Sequence, residues 1–406
     1  MTLPRVAVTG LGVVSSIGMG WRAFWDSLLA GRSGVGKVRY LDTAEYPTQF
    51  GGEIRDFDAR AFMPEATARR LGRGTQFAVA ATRMALEDAK LDAARTDGEG
   101  PRIGICLGTT MADIQALEAI DTIWASSGER EIPSRLFRQY PSCSMSASVA
   151  KQFGFLGPNL MIPTACAAGN YALAHAFDLL RLGRADVMVA GGAEPFSRII
   201  FTGFNRLLAI ASERCQPFDK HRKGLIAAEG SGILVLERMD DARARGATIY
   251  GEMLGYGMSC DGSHMTIPSV DGLTHVLTDA LRRTELDPAD VDYINAHGTG
   301  TPANDRAECA AIRAVFGSHA DRVPVSSIKS MIGHTMGAAS ALEAITCALV
   351  VRHDRLPPTM NYEVPDPECD VDCVPNRSRP HRTEIALNNS FAFGGNNACV
   401  VFRKSL

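Results

Sequence analysis

The chain states one supersecondary order twice, and that repetition restricts its fold more than any single motif does. Ile103-Gly104-Ile105-Cys106-Leu107-Gly108-Thr109, an apolar run entering a turn, is matched by Asp292-Tyr293-Ile294-Asn295-Ala296-His297-Gly298-Thr299. Leu160 to Cys166, with the small-residue segment that follows it, is matched by Val323 to Lys329 and the small-residue helix from Gly337 to Val351. Ala185 to Gly192 is matched by Glu384 to Phe391 running into Gly394-Gly395. Three pairs in one order predict duplicated α/β halves, 1–250 and 251–406, each alternating strands with helices. A length of 406 residues suits two closely packed halves better than one small core.

Outside the matched pairs, Arg5 to Ser15 reads as a buried strand ending in Gly10-Leu11-Gly12, and Trp21 to Ala30 as an amphipathic helix. The glycines do not make a dinucleotide fingerprint. Ser15 stands where the third glycine belongs, and no acidic residue closes a second strand at the required distance. A long helix is expected over Ala66 to Lys90. The net charge of −3 gives no electrostatic case for nucleic acid or an anionic membrane. Ten cysteines are scattered without a zinc-type spacing, so no metal site is expected. With no signal-peptide core and no apolar run of membrane-spanning length, the expectation is a soluble protein of the reducing cytoplasm.

The chemistry concentrates at three strand ends. Cys166 falls where an apolar run stops and a helix begins, and there the helix dipole and free N–H groups favour a thiolate. His297 lies in Asn295-Ala296-His297-Gly298-Thr299-Gly300-Thr301, and His334 in Lys329-Ser330-Met331-Ile332-Gly333-His334. A lone cysteine reads as a small buried hydrophobe. With two glycine-flanked histidines at strand ends, where open α/β sheets place their active sites, it reads as a nucleophile.

These motifs, together with Thr164-Ala165-Cys166-Ala167, Pro217-Phe218-Asp219 and Asn389-Ser390-Phe391-Ala392-Phe393-Gly394-Gly395, resemble those of bacterial β-ketoacyl-acyl-carrier-protein synthases of the elongating Cys-His-His type. The resemblance covers nearly the whole chain. It implies a thiolase-like fold of duplicated halves in a five-layered α-β-α-β-α arrangement, acting as a dimer. The implied reaction is decarboxylative Claisen condensation of an acyl group on Cys166 with malonyl carrier protein, in fatty acid or polyketide elongation. By resemblance His297 and His334 hold the enolate, with Lys329 and Glu308 supporting them. Backbone N–H groups of Cys166 and Phe391 form the oxyanion hole, Phe391 gates the acyl pocket, and Thr299 and Thr301 hold the pantetheine arm. No cofactor of its own is implied, because phosphopantetheine arrives on the carrier. Arg69, Arg70 and Arg206 are candidates for docking that acidic carrier.

Two neighbouring activities of the same fold are disfavoured by His334: thiolases want a second cysteine, and starter-condensing synthases an asparagine. The sequence departs from the family at Thr109-Thr110-Met111, where Met111 is expected to line the acyl pocket, and at Ala227-Ala228 before Glu229-Gly230. The segment from Phe204 to Gln216 also looks short. These departures suggest a specialised pathway. The alternative they raise is a subunit that acts only with a partner resembling a chain-length factor.

Overall fold

The computed structural model describes residues 3–91 and 102–405. Each half contributes five principal strands. The first half supplies β1 (Val6–Ser15), β2 (Ile103–Gly108), β3 (Asn159–Ile162), β4 (Val187–Glu194) and β5 (Gly230–Arg238). The second supplies β6 (Gly251–Cys260), β7 (Tyr293–Asn295), β8 (Val325–Ser326), β9 (Ile385–Phe391) and β10 (Asn396–Arg403). Their orders are β1-β5-β4-β2-β3 and β6-β10-β9-β7-β8. In both halves the first two pairings are antiparallel and the last two parallel. The half-sheets meet edge to edge through three residue pairs, Val6–Val8 against Met253–Gly251.

Strand alternation sends side chains to opposite faces, which builds three helix layers around two sheets. Ile105, Leu107, Val189 and Val235 pack outward with Phe77 of α2 (Arg73–Ala89) and Val149 of α3 (Cys143–Phe153). Cys106, Met188, Ala190 and Leu234 face inward, onto α4 (Ala168–Arg181) and α7 (Ala339–His353). Ile294, Leu387 and Val401 pack against α5 (Val270–Thr284) and α6 (Pro302–Phe316) on the far side. The result is the five-layered α-β-α-β-α fold of duplicated halves that the sequence predicts. Every residue of α7 from Ala339 to Val351 is buried, as a helix apolar all round must be. Small residues permit this: a Cβ on Gly169 would stand 2.7 Å from the backbone nitrogen of Ala341.

Two local expectations change. β1 continues through Gly10 and Gly12 instead of turning there. Those glycines exist for packing, since a Cβ on Gly12 would sit 1.8 Å from the Ala81 carbonyl oxygen of α2. The single helix expected over 66–90 is broken into Glu65–Ala68 and α2. Gly72 immediately precedes α2, and the Asp113 carboxylate caps the helix from outside by accepting from Gly74 N–H at 2.7 Å and Thr75 N–H at 3.2 Å. Among the described residues no helix is long and apolar enough to cross a membrane.

Candidate active site

Cys166 sits in a one-turn 3-10 segment, Ala165–Ala167, between β3 and α4. Ala165 takes a left-handed φ of 50°, an unusual conformation for a residue with a Cβ, and this sharp turn lifts Cys166 onto the end of α4. The side chain is buried. His334 arrives from the opposite half, in the loop after the one-turn helix Lys329–Ile332, and its Nε2 lies 3.1 Å from Cys166 Sγ. His334 is fixed by two backbone bonds, its N–H donating to Ile226 O at 2.7 Å and its carbonyl accepting from Ala228 N–H at 2.9 Å. The alanines at 227 and 228 therefore form part of the histidine's seat. A Cβ on Gly333 would come within 2.9 Å of the Ala228 methyl.

His297 follows β7, where Glu308 of α6 accepts from its N–H and from that of Gly298, both at 2.8 Å. Lys329 Nζ donates to the His297 carbonyl at 2.7 Å and lies 3.4 Å from its Nδ1. The ammonium is paired in turn with Glu343, and both side chains are buried. The two imidazole rings meet edge to face with centroids 5.5 Å apart, and the Phe391 ring lies 5.9 Å from His297.

These contacts set the tautomers. His334 Nδ1 accepts from Met336 N–H at 3.2 Å, and His297 Nδ1 faces the Lys329 ammonium, so each ring carries its proton on Nε2. Burial pushes both imidazoles well below the usual histidine range, helped by Lys329, and keeps them neutral. The ligand atoms of Cys166, His297 and His334 lie within 4.8 Å of one another, a spacing that would suit a zinc-like cation. The cation would need lone pairs where these tautomers present N–H donors. The same donors suit a developing oxyanion.

Burial works against the thiolate that the helix end favours, pushing the Cys166 thiol up to about 12 despite the opposing pull of Lys329. Desolvation outweighs charge here because the sulfur is enclosed between the halves. Burial likewise raises Glu308 to about 7, against the lowering by the N–H groups of Gly298 and His297.

A cavity opens from Cys166 to the surface, lined by His297, His334, Phe391, Thr299, Thr301 and Phe204. The hydroxyls of Thr299 and Thr301 are 2.9 Å apart. Met111 is not among its lining residues; it lies on the loop after β2, its N–H donating to Glu194 at 3.0 Å. Arg206 ends the helix Arg198–Arg206, two residues after cavity-lining Phe204. Arg69 and Arg70 are exposed in the break before α2, and Arg69 pairs with Glu65 at 2.6 Å. Three supporting residues escaped the sequence reading: Glu343, Glu194, and Ser390, whose hydroxyl donates to Cys166 O at 3.0 Å. Glu343 had a usable signal, a carboxylate inside an otherwise apolar helix, which burial tolerates only beside a cation.

Residues 4–242 match the pattern of the beta-ketoacyl synthase N-terminal domain and residues 250–363 that of its C-terminal domain. The chain is 41% identical to 3-oxoacyl-[acyl-carrier-protein] synthase 2 of Synechocystis sp. and 39% identical to the protein of that name in Coxiella burnetii, over 98% of each chain. Among solved structures it is similar to the ishigamide ketosynthase/chain length factor, with a TM-score of 0.95 and 39% identity over 100% of both chains. A type II polyketide ketosynthase in complex with its acyl-carrier protein superposes with a TM-score of 0.91 at 34% identity, again over 100% of both. With two histidine donors facing a buried cysteine and full-length similarity to such enzymes, the chain belongs to the beta-ketoacyl synthase family and is a carbon–carbon bond-forming acyltransferase.

Proposed function

We propose that Cys166 is the acyl acceptor and that His297 and His334 stabilise the enolate formed by decarboxylation of a malonyl thioester on a carrier protein. The supporting observation is the placing of two buried imidazoles beside one buried sulfur, with His334 Nε2 3.1 Å from Cys166 Sγ. In the first step the acyl carbonyl is attacked by Cys166 sulfur, and the thiol proton leaves with the carrier's sulfur; thioester replaces thioester, so the exchange is nearly balanced. The oxyanion formed in this attack is held by the N–H groups of Cys166 and Phe391.

Next the malonyl C–C bond breaks, carbon dioxide leaves and its electron pair passes into the enolate. The two neutral imidazoles donate to that oxygen, and Lys329 and Glu308 hold His297 in position. The α-carbon then attacks the acyl-Cys166 carbonyl, a C–C bond forms, and the C–S bond breaks to release the sulfur as a thiolate, which takes a proton from solvent. In this reading Thr299 and Thr301 hold the pantetheine arm, Phe391 gates the acyl pocket, and no cofactor is needed beyond the arm on the carrier.

The partner is an acyl carrier protein docking at Arg206, Arg69 and Arg70, and the work is cytoplasmic. The two units are 1–250, bearing the nucleophile, and 251–406, bearing the histidines. β3 is a sheet edge whose Leu160 is exposed, with Leu156, Phe137 and Tyr140 also exposed nearby in sequence, which favours pairing with a second subunit there. Met111, exposed in one chain, then lines an acyl pocket completed by that subunit. A homodimer is the first reading. The similarity to a ketosynthase/chain length factor supports a heterodimer as the second.

Intact-mass analysis after incubation with acyl carrier proteins of graded chain length tests the nucleophile and the substrate together. Adducts on wild type and none on Cys166→Ala are expected; equal adducts on both would refute the assignment. Condensation by the chain purified alone supports the homodimer, and activity only with a second subunit supports the heterodimer.

A further inference from the structure

The one-turn helix Lys329–Ile332 cannot hold its own shape. Four residues close too few hydrogen bonds to repay nucleation, and the polar groups at both ends must find partners elsewhere in the fold. Yet its first residue is Lys329, whose ammonium must stay on His297. The holding groups come from the segment Thr359-Met360-Asn361. Thr359 Oγ1 accepts from Ser327 N–H at 3.0 Å, and Ser330 Oγ accepts from Met360 N–H at 2.9 Å. Ser330 Oγ also donates to Ser327 O at 2.8 Å, and Ser327 Oγ donates to Gly298 O at 2.7 Å, beside His297.

Asn361 joins this bracket to a second turn. Its Nδ2 donates to Ser330 O at 3.2 Å and to Cys215 O at 2.9 Å, while its main-chain carbonyl accepts from Gln216 Nε2 at 3.0 Å. Cys215 in turn donates from Sγ to Thr299 O at 3.2 Å. The asparagine has a left-handed φ of 65°, a conformation that Asn tolerates better than most residues with a Cβ. We infer that Asn361 is a positioning residue: one amide locks the turn carrying Lys329 to the loop that supports Thr299, and so fixes the malonyl side of the site, while none of its bonds reaches the turn that carries Cys166. This rests on the assignment of His297 and Lys329 to decarboxylation.

The test is Asn361→Gly in the full-length enzyme. Glycine adopts the same φ without strain, so the backbone path is kept and only the amide is lost. Two rates are read: acyl transfer to Cys166 by intact mass, and carbon dioxide release from malonyl carrier protein. Acylation should stay within about 2-fold of wild type while kcat for carbon dioxide release falls about 10-fold, the scale of a small misplacement of a reacting group. Asn361→Asp, which keeps the shape but turns a donor into an acceptor facing two carbonyls, should lose at least as much. The inference is overturned if both rates hold, or if both fall in parallel with the folded fraction measured by urea titration. His297→Ala is run alongside: unchanged carbon dioxide release there sinks the assignment of His297 itself, whereas loss there with wild-type rates in Asn361→Gly removes only the role of Asn361.

Discussion

The two halves build the same strand-to-helix turn and arm it differently. In the first, Pro163-Thr164-Ala165-Cys166 leads through a 3-10 turn into α4; in the second, His334-Thr335-Met336-Gly337 leads through a 3-10 turn into α7. Ala165 has φ 50° and its counterpart Met336 has φ 49°, so the strained backbone is duplicated along with the fold. The third position after the leading residue carries a nucleophile in one half and nothing in the other. The leading position itself carries a proline in one and His334 in the other. Facing each other between the sheets, the two turns bring His334 Nε2 to Cys166 Sγ. The N–H groups differ as well: that of Gly337 donates to the buried Glu194 at 3.2 Å, whereas that of Cys166 is assigned above to the substrate oxyanion. A duplicated scaffold thus yields one acceptor and one donor from the same turn.

Disarming the first turn has the largest expected effect. Cys166→Ala should lower condensation by more than about 10³-fold in a carrier-protein turnover assay, since no second nucleophile stands at the equivalent place in the other half. Condensation within a few-fold of wild type would show that the asymmetry between the turns is not catalytic.

Filling the second turn comes next. A Cβ on Gly337 would lie 2.3 Å from the backbone of Thr109 and Thr110. Gly337→Ala should therefore cost about 4 kcal/mol in urea unfolding, a large value for one methyl, because backbone and not a flexible side chain must yield. Little or no loss would mean that the close approach at this turn is slack, and that a cysteine could have stood in either half.

Much of this contrast can be read from the residues before any coordinates. The three matched segments state the duplication, and the turns at Cys166, His297 and His334 state where the halves meet. What sequence does not state is the consequence of enclosure. The dipole of α4 argued for a thiolate at Cys166, but burial between two sheets raises the thiol instead. Gly10 and Gly12 looked like a turn because close helix packing and a tight turn demand the same residue. The helix break before α2 depends on Asp113, about forty residues downstream, and so does not show in local periodicity. Glu194 lay two residues beyond the expected end of its strand, and only the tertiary fold brings it to Gly337.

The smallest expected effect is a pH slope from that same Glu194. Its carboxyl is fully enclosed and accepts from the N–H groups of Met111 at 3.0 Å and Gly337 at 3.2 Å, yet burial still raises it from 4.5 to about 7. Below the ordinary carboxylate pKa, both folded and unfolded chains hold this proton, and stability does not depend on it. Between 4.5 and 7 the folded chain binds the proton more tightly than the unfolded one, so stability falls as pH rises, by at most about 3 kcal/mol, and levels off above 7. Glu308, also raised to about 7, should contribute a similar fall at the His297 turn. Glu194→Gln has no proton to lose and should remove its own contribution, flattening the slope in urea titrations run from pH 5 to pH 8. An unchanged slope would mean that the N–H donors around Glu194 already hold it ionised, and that the two halves differ in their side chains but not in the electrostatic cost of closing the turn.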